Sequence, residues 1–346
     1  MLEKHHTLAV YMEGNLDSDY GKMGDGVMRY SPNPVVCVVD STQAGKRVCD
    51  ASDLPHTFPV VGTLDEARGM GADVLVLGLA PSGGRVPEEW LPHLRRALHL
   101  GMSLINGLHD RLNDQLGSEI RAPGEQWIWD VRQPAFTPDI ATGRAGTLDN
   151  RRVLMVGTDM AIGKMTAGLE IHRWLQQQAV SSAFVATGQI GITVTGHGIP
   201  LDAFKVDHAC GAVESAVMDA AGHDVIIIEG QGSLLHPGSS ATLSLMRGSC
   251  ANRLVMCHRA GMTHLRKPDH VRIPPLRPFI RLNEEMAHVC GSLTPAKTVG
   301  VALNTSRLPE AEALEAITRL EDETGLPVED VVRFGAEKLG RALMDS

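Results

Sequence analysis

Two observations predict an α/β protein with two parallel-sheet domains. In residues 1–140, short apolar runs ending in Gly or Asp alternate with helix-forming stretches, the pattern of parallel strands joined by helical crossovers in a doubly wound sheet. From residue 151 to 346 the alternation resumes, opened by RVLMVGTDMAIGKMT (152–166): an apolar run, a glycine-bounded turn and a helix former, which together make a strand, a phosphate-binding loop and a helix. Between the two lies PAFTPDIATGRAGTLDN (134–150), rich in Pro, Gly, Thr and Asp without a period, of which 141–150 reads as the linker. At 346 residues the chain exceeds the usual single-domain size, consistent with two domains.

In the first domain the strands are LAVYMEG, VVCVVD, DVLVLGLAP and SLINGLHD, and HLRRALHLG (93–101) is a helix. Asp40 ends its strand about where a dinucleotide-binding domain carries its ribose-binding acid, and YGKMGDG (20–26) supplies glycines before it. Their order, G-x-x-G-x-G, is wrong for the dinucleotide fingerprint, so no nicotinamide cofactor is expected.

Composition narrows the function classes. The net charge of −9 argues against a nucleic-acid or anionic-membrane surface, while leaving room for a local cationic pocket. Cysteines 37, 49, 210, 250, 257 and 290 form no C-x-x-C pair, which favours reduced thiols over disulfides or zinc. No apolar run reaches 18 residues, and a cytoplasmic protein with small-molecule substrates is expected. A parallel-sheet protein of this size is further expected to be a homo-oligomer.

In the second domain, backbone N–H groups at Gly157 and Gly163, the cation of Lys164 and the positive end of the following helix all favour a polyphosphate. Met165 stands where a magnesium-binding hydroxyl is expected. Thr166 is one place late, and one place on a helix turns a side chain by about 100°. Phosphate binding survives that change better than metal chemistry, and no metal is expected. SSAFVATGQIG (181–191) is a further strand and turn. Asp207 is placed in a loop before a helix, as a cap or a site residue, and Glu214 near that helix's first turn as a dipole-stabilised acid.

HDVIIIEGQGSLLHPG (223–238) is the second strong element. Val225 to Ile228 are continuous enough for a strand buried on both faces, and Glu229 falls at its carboxyl end, facing the phosphates or the reacting group. Gln231 and Ser233 follow in a flexible turn. ANRLVMCHRAG (251–261) is a strand ending in the basic pair His258 and Arg259. The segment 263–278, with Arg266, Lys267, Arg272 and Arg277 among its prolines, suits an anionic ligand or simply a solvated basic loop. LNEEMAHVCG ends a helix, KTVGVALNT is a strand, 309–325 an amphipathic helix, DVVRFG a strand and AEKLGRALM the last helix.

The loop spacing resembles that of dethiobiotin synthetase, G-T-D-x-x-x-G-K-T, which Gly157, Thr158, Asp159, Gly163 and Lys164 all fit. The EGQGS turn is similar to that enzyme's V-E-G-A-G-G. PVVGTLDEA (59–67) and GLAPSGGRVPEEW (78–90) look like the coenzyme A-binding domain of succinyl-CoA ligases. Through VVDSTQAGK, GLAPSGG, GLHDRL, DVRQP, GTDMAIGKMT, ATGQIGI, DHACGAVE, EGQGSLLHP, CHRAG and ALNT, the whole chain resembles a two-domain bacterial and archaeal family, formerly of unknown function, whose members include D-glutamate N-acetyltransferase. That resemblance implies a Rossmann-like N-terminal domain, a P-loop NTPase-like C-terminal domain, and acetyl transfer from acetyl-CoA to the amino group of D-glutamate.

The residue chemistry allows this. A loop that grips ATP phosphates can grip the diphosphate of CoA with the same donors, without a metal. Attack on a thioester requires a neutral amine, so a general base should help by about 10²–10⁴, with Glu229 the first choice and Asp207 the second. Backbone N–H groups of the Gly230–Ser233 turn or a side-chain amide would hold the oxyanion, Gln231 and Ser233 are candidate substrate-binding residues, and Arg259, His258 and Arg132 are candidates for the acceptor's carboxylates. The alternative is an ATP- and magnesium-dependent ligase or carboxylase of dethiobiotin synthetase type.

Overall fold

The computed structural model describes residues 2–18, 20–289 and 294–346. The chain folds as two compact units, Met1–Ala135 with Gln189–Ala203, and Phe136–Gly188 with Phe204–Ser346.

The first unit contains the parallel strands β1 (Leu8–Tyr11), β2 (Val35–Val39), β3 (Val60–Val61), β4 (Val74–Leu77), β5 (Ser103–Asn106) and β6 (Ile128–Asp130), in the order β3-β2-β1-β4-β5-β6. This is the strand order of a Rossmann sheet. Asp40 is fully buried, and its carboxylate is engaged by Thr42 N and Leu16 N, so it fastens the loop after β1. The glycines of YGKMGDG fall at the start of helix Lys22–Tyr30, where a Cβ on Gly24 would stand 2.3 Å from Met12 Sδ; close packing on β1 accounts for that glycine. Helix Gln189–Thr195 packs on the same helix. Two contiguous domains were the expectation, and 189–203 departs from it.

The second unit contains β7 (Arg151–Gly157), β8 (Ser182–Val185), β9 (Val225–Ile228), β10 (Arg253–Arg259), β11 (Lys297–Asn304) and β12 (Val328–Glu329), all parallel, in the order β12-β11-β10-β7-β9-β8. β7 and β9 are buried along almost their whole length, as their unbroken apolar runs require. Because β7 lies between β9 and β10, the loops leaving the carboxyl ends of these three strands converge.

Three expectations for this unit are corrected. The proposed linker 141–150 is folded: it contains the 3-10 turn Arg144–Thr147, and Thr142 N and Arg144 N donate to Glu214. Glu214 lies in the middle of helix Val206–Asp219, 2% exposed, and those hydrogen bonds together with Arg144 hold its pKa below the usual range against burial. DVVRFG forms turns after β12 because the Asp330 carboxylate accepts N–H groups from Thr305, Val332 and Arg333, and this turn chemistry overrides the β-propensity of the two valines. The end of LNEEMAHVCG, including Cys290, lies outside the described residues. The other five cysteines are free thiols. Among the described residues no helix is long and apolar enough to cross a membrane.

Candidate active site

β7 runs into the loop 158–163, and Gly163, at φ +113°, begins helix Lys164–Gln177 in a conformation that side chains rarely adopt. Thr158, Asp159 and Lys164 are 0, 2 and 6% exposed. Lys164 Nζ donates to the Asp159 carbonyl at 2.7 Å, and burial pushes its pKa down while the charges of Asp159 and Glu229 oppose the shift. The loop's own carbonyls are held from outside: Arg259 Nη2 donates to Ala161 O at 3.1 Å and Asn304 Nδ2 to Ile162 O at 3.3 Å. Such bracing fixes the loop before an anion arrives.

Glu229, the residue after β9, is 3% exposed. Its Oε2 accepts Thr187 N at 2.8 Å and Gly188 N at 3.0 Å, and its Oε1 accepts Gln231 Nε2 at 3.2 Å. Burial raises its pKa to about 7, although these hydrogen bonds and the Lys164 charge pull the other way. Gly230 next to it has no room for a side chain. A Cβ there would lie 1.6 Å from Met155 O and 2.9 Å from Lys164 Cδ, so the turn packs directly on β7 and on the lysine stem. The site thus combines a phosphate loop, a partly desolvated ammonium and a carboxylate poised at neutrality, the usual raw material of acid–base chemistry.

The other candidates are placed as follows. His258 Nδ1 meets Thr158 Oγ1 at 2.9 Å, and burial pushes its pKa down to about 4. Burial thus favours its neutral imidazole at physiological pH. Ser233 is fully buried, and its Oγ accepts Leu235 N at 3.1 Å, which shapes the turn. Asp207 is exposed within the first turn of helix Val206–Asp219 rather than in a loop before it. Arg132 belongs to the first unit, where its guanidinium donates to Gly107 O and Gln189 Oε1 and pairs with Asp202, so its charge is already engaged. Met165 and Thr166 are half-buried in the first turn after Lys164.

Comparison with known proteins fits this architecture. A Rossmann-like domain of unknown function (DUF1611_N) matches residues 41–134, and a P-loop domain of unknown function (DUF1611_C) matches residues 139–340. The chain belongs to the DUF1611 family. A crystal structure of a DUF1611 protein from Anabaena variabilis is 46% identical, covers 99% of this chain and 100% of its own, and superposes with a TM-score of 0.94. Two relatives named D-glutamate N-acetyltransferase are also similar. The one from Tritonibacter scottomollicae is 38% identical over 81% of this chain and 84% of its own length. The one from a Pseudoalteromonas species is 36% identical over 79% and 82%. These two relatives are thus named as enzymes.

Some parts of this DUF1611 site leave little mark in the sequence. Thr187 and Gly188 act through backbone N–H groups, and the only available signal was glycine in ATGQ: a Cβ on Gly188 would stand 2.4 Å from Gln231 Nε2. Asn304, in the ALNT stretch, was not singled out as a brace for the loop.

Proposed function

We propose that this chain is an N-acetyltransferase that moves the acetyl group of acetyl-CoA to the amino group of D-glutamate. The observation that carries the reading is Glu229: a buried carboxylate with pKa near 7, beside the lysine of a phosphate loop, has the right basicity to take a proton from an ammonium-derived nucleophile near neutral pH. The names of the two relatives support D-glutamate as the acceptor.

In this reading the loop N–H groups and Lys164 hold the CoA diphosphate. The amine nitrogen attacks the thioester carbonyl carbon. As the C–S bond breaks, the amine proton passes to Glu229 and from there to the departing sulfur, leaving N-acetyl-D-glutamate and free CoA. The Gln231 amide, already oriented by Glu229, is a candidate oxyanion donor, and Arg259 a candidate partner for an acceptor carboxylate. Met165, which offers no hydroxyl to magnesium, fits a donor that needs no metal.

The test is to supply the pure protein with acetyl-CoA and either enantiomer of glutamate and to follow free thiol. Release with the D enantiomer well above the L enantiomer supports the proposal; the absence of any stereoselective release sinks it. Magnesium-dependent ADP formation from ATP would instead favour the ligase alternative.

A further inference from the structure

Residues 263–273 form a short finger. Ile273 N donates to Thr263 O and Leu265 N to Val271 O, both at 2.9 Å, with His264 facing Arg272 in an antiparallel bridge. Leu265 and Ile273, 2 and 8% exposed, root it in the second unit. Two hydrogen bonds hold its tip. Arg266 N donates to Asp159 Oδ2 at 2.8 Å, and His236 Nε2 meets Lys267 O at 2.6 Å. His236 Nδ1 accepts Gly238 N, so its proton is on Nε2 and the contact to Lys267 is a true donation. The phosphate loop and the turn after β9 are therefore both tied to the main chain of one residue pair, whose two side chains are cationic and exposed.

On charge alone a carboxylate is out of place in a loop that binds anions. Asp159 is nonetheless buried there, its Oδ1 on Met160 N at 2.7 Å and its Oδ2 on Arg266 N. Both oxygens thus face backbone donors, and one buried anion brings Arg266 and Lys267 to the rim of the loop. Asp269 and His270 share the exposed tip.

We infer that Arg266 and Lys267 are specificity-determining residues that recognise a phosphate monoester on the nucleotide end of the donor, and that Asp159 is the positioning residue that sets them there. The inference rests on the acetyl-CoA reading. CoA carries a 3′-phosphate monoester besides its diphosphate, and the one buried lysine of the loop leaves that dianion without a counter-charge. An arginine fork on a tethered backbone matches phosphate geometry.

The test is calorimetric binding of CoA and of 3′-dephospho-CoA at fixed ionic strength. The wild-type protein should bind CoA at least about tenfold more tightly than the dephospho form, a factor equal to about 1.4 kcal/mol. That ratio should fall toward one in Arg266→Ala/Lys267→Ala, whose sites are exposed, and in Asp159→Asn, while Arg266→Lys retains part of it. Equal wild-type affinities, or a ratio that survives the double substitution, would overturn the inference with the donor reading intact. A ratio unchanged in Asp159→Asn would remove the positioning role. If neither ligand binds the wild-type protein, the donor reading itself fails.

Discussion

Replacing Glu229 by Gln tests the proposed base with little change of shape. A glutamine oxygen can still accept Thr187 N and Gly188 N, and its amide can face Gln231 once that side chain turns its own oxygen inward. With a pKa of about 7, the wild-type carboxylate is about half ionised at pH 7 and about one-tenth ionised at pH 6. Wild-type kcat/KM should therefore fall about tenfold per pH unit below 7. The variant should lose at least about 10²-fold in turnover and recover at high pH, where the amine deprotonates unaided, with CoA affinity retained. Stability supplies a second readout. A folded pKa raised from 4.5 to about 7 means that the native state holds this proton more tightly. The group's contribution is thus fully present below pH 4.5 and is lost as pH rises through 7, a change of roughly 3 kcal/mol that Glu229→Gln abolishes. Stopped-flow thiol release across pH 5–9, with thermal melts over the same range, measures both. An acid limb near pH 7 that persists in the variant would refute the assignment. Lost CoA affinity with unchanged turnover would make Glu229 an orienter of Lys164.

Lys164→Ala removes a charge-assisted phosphate contact, and calorimetry should show CoA binding weakened by about 10- to 100-fold, with the larger kinetic effect on KM than on kcat. Met165→Thr should leave turnover and its indifference to EDTA unchanged; a magnesium requirement in the wild-type protein would contradict this. Gly230→Ala and Gly188→Ala should separate. The first drives a Cβ to 1.6 Å from a backbone oxygen of β7 and should lower stability by about 2–4 kcal/mol, seen as a reduced denaturation midpoint. The second meets the flexible end of Gln231 at 2.4 Å and should keep the fold while reducing turnover.

What was legible in the sequence follows from where the signal is stored. β7 and β9 announce themselves because a strand buried on both faces needs an unbroken apolar run, and the phosphate loop because its glycines and lysine are required by geometry. Partnerships through backbone atoms leave no such mark. The donors to Glu229 include the N–H groups of Thr187 and Gly188, and those to Asp159 include that of Arg266, which residue types do not reveal. Charge was equally ambiguous: nothing in the sequence around Arg132 reveals that its cation is engaged by Asp202. Glu214 was misplaced because the helix begins at Val206, earlier than its polar preface suggested.

The division of the chain has a practical consequence. Gly188 N is bound by Glu229 in one unit, and the next residue, Gln189, begins the stretch that belongs to the other, where Arg132 holds it. The N-terminal fold is therefore encoded by two separate passages of the sequence, with the whole phosphate loop written between them. A fragment starting at Phe136 would carry Ile192, Val194, Ile199 and Leu201, all buried in the intact protein, without the unit to which they belong. A fragment ending at Ala135 would lack that same insert. Cutting the gene at the apparent linker yields two incomplete pieces, so trimming or fusing this protein calls for keeping the full chain or for rejoining 189–203 to the first unit by a designed connection.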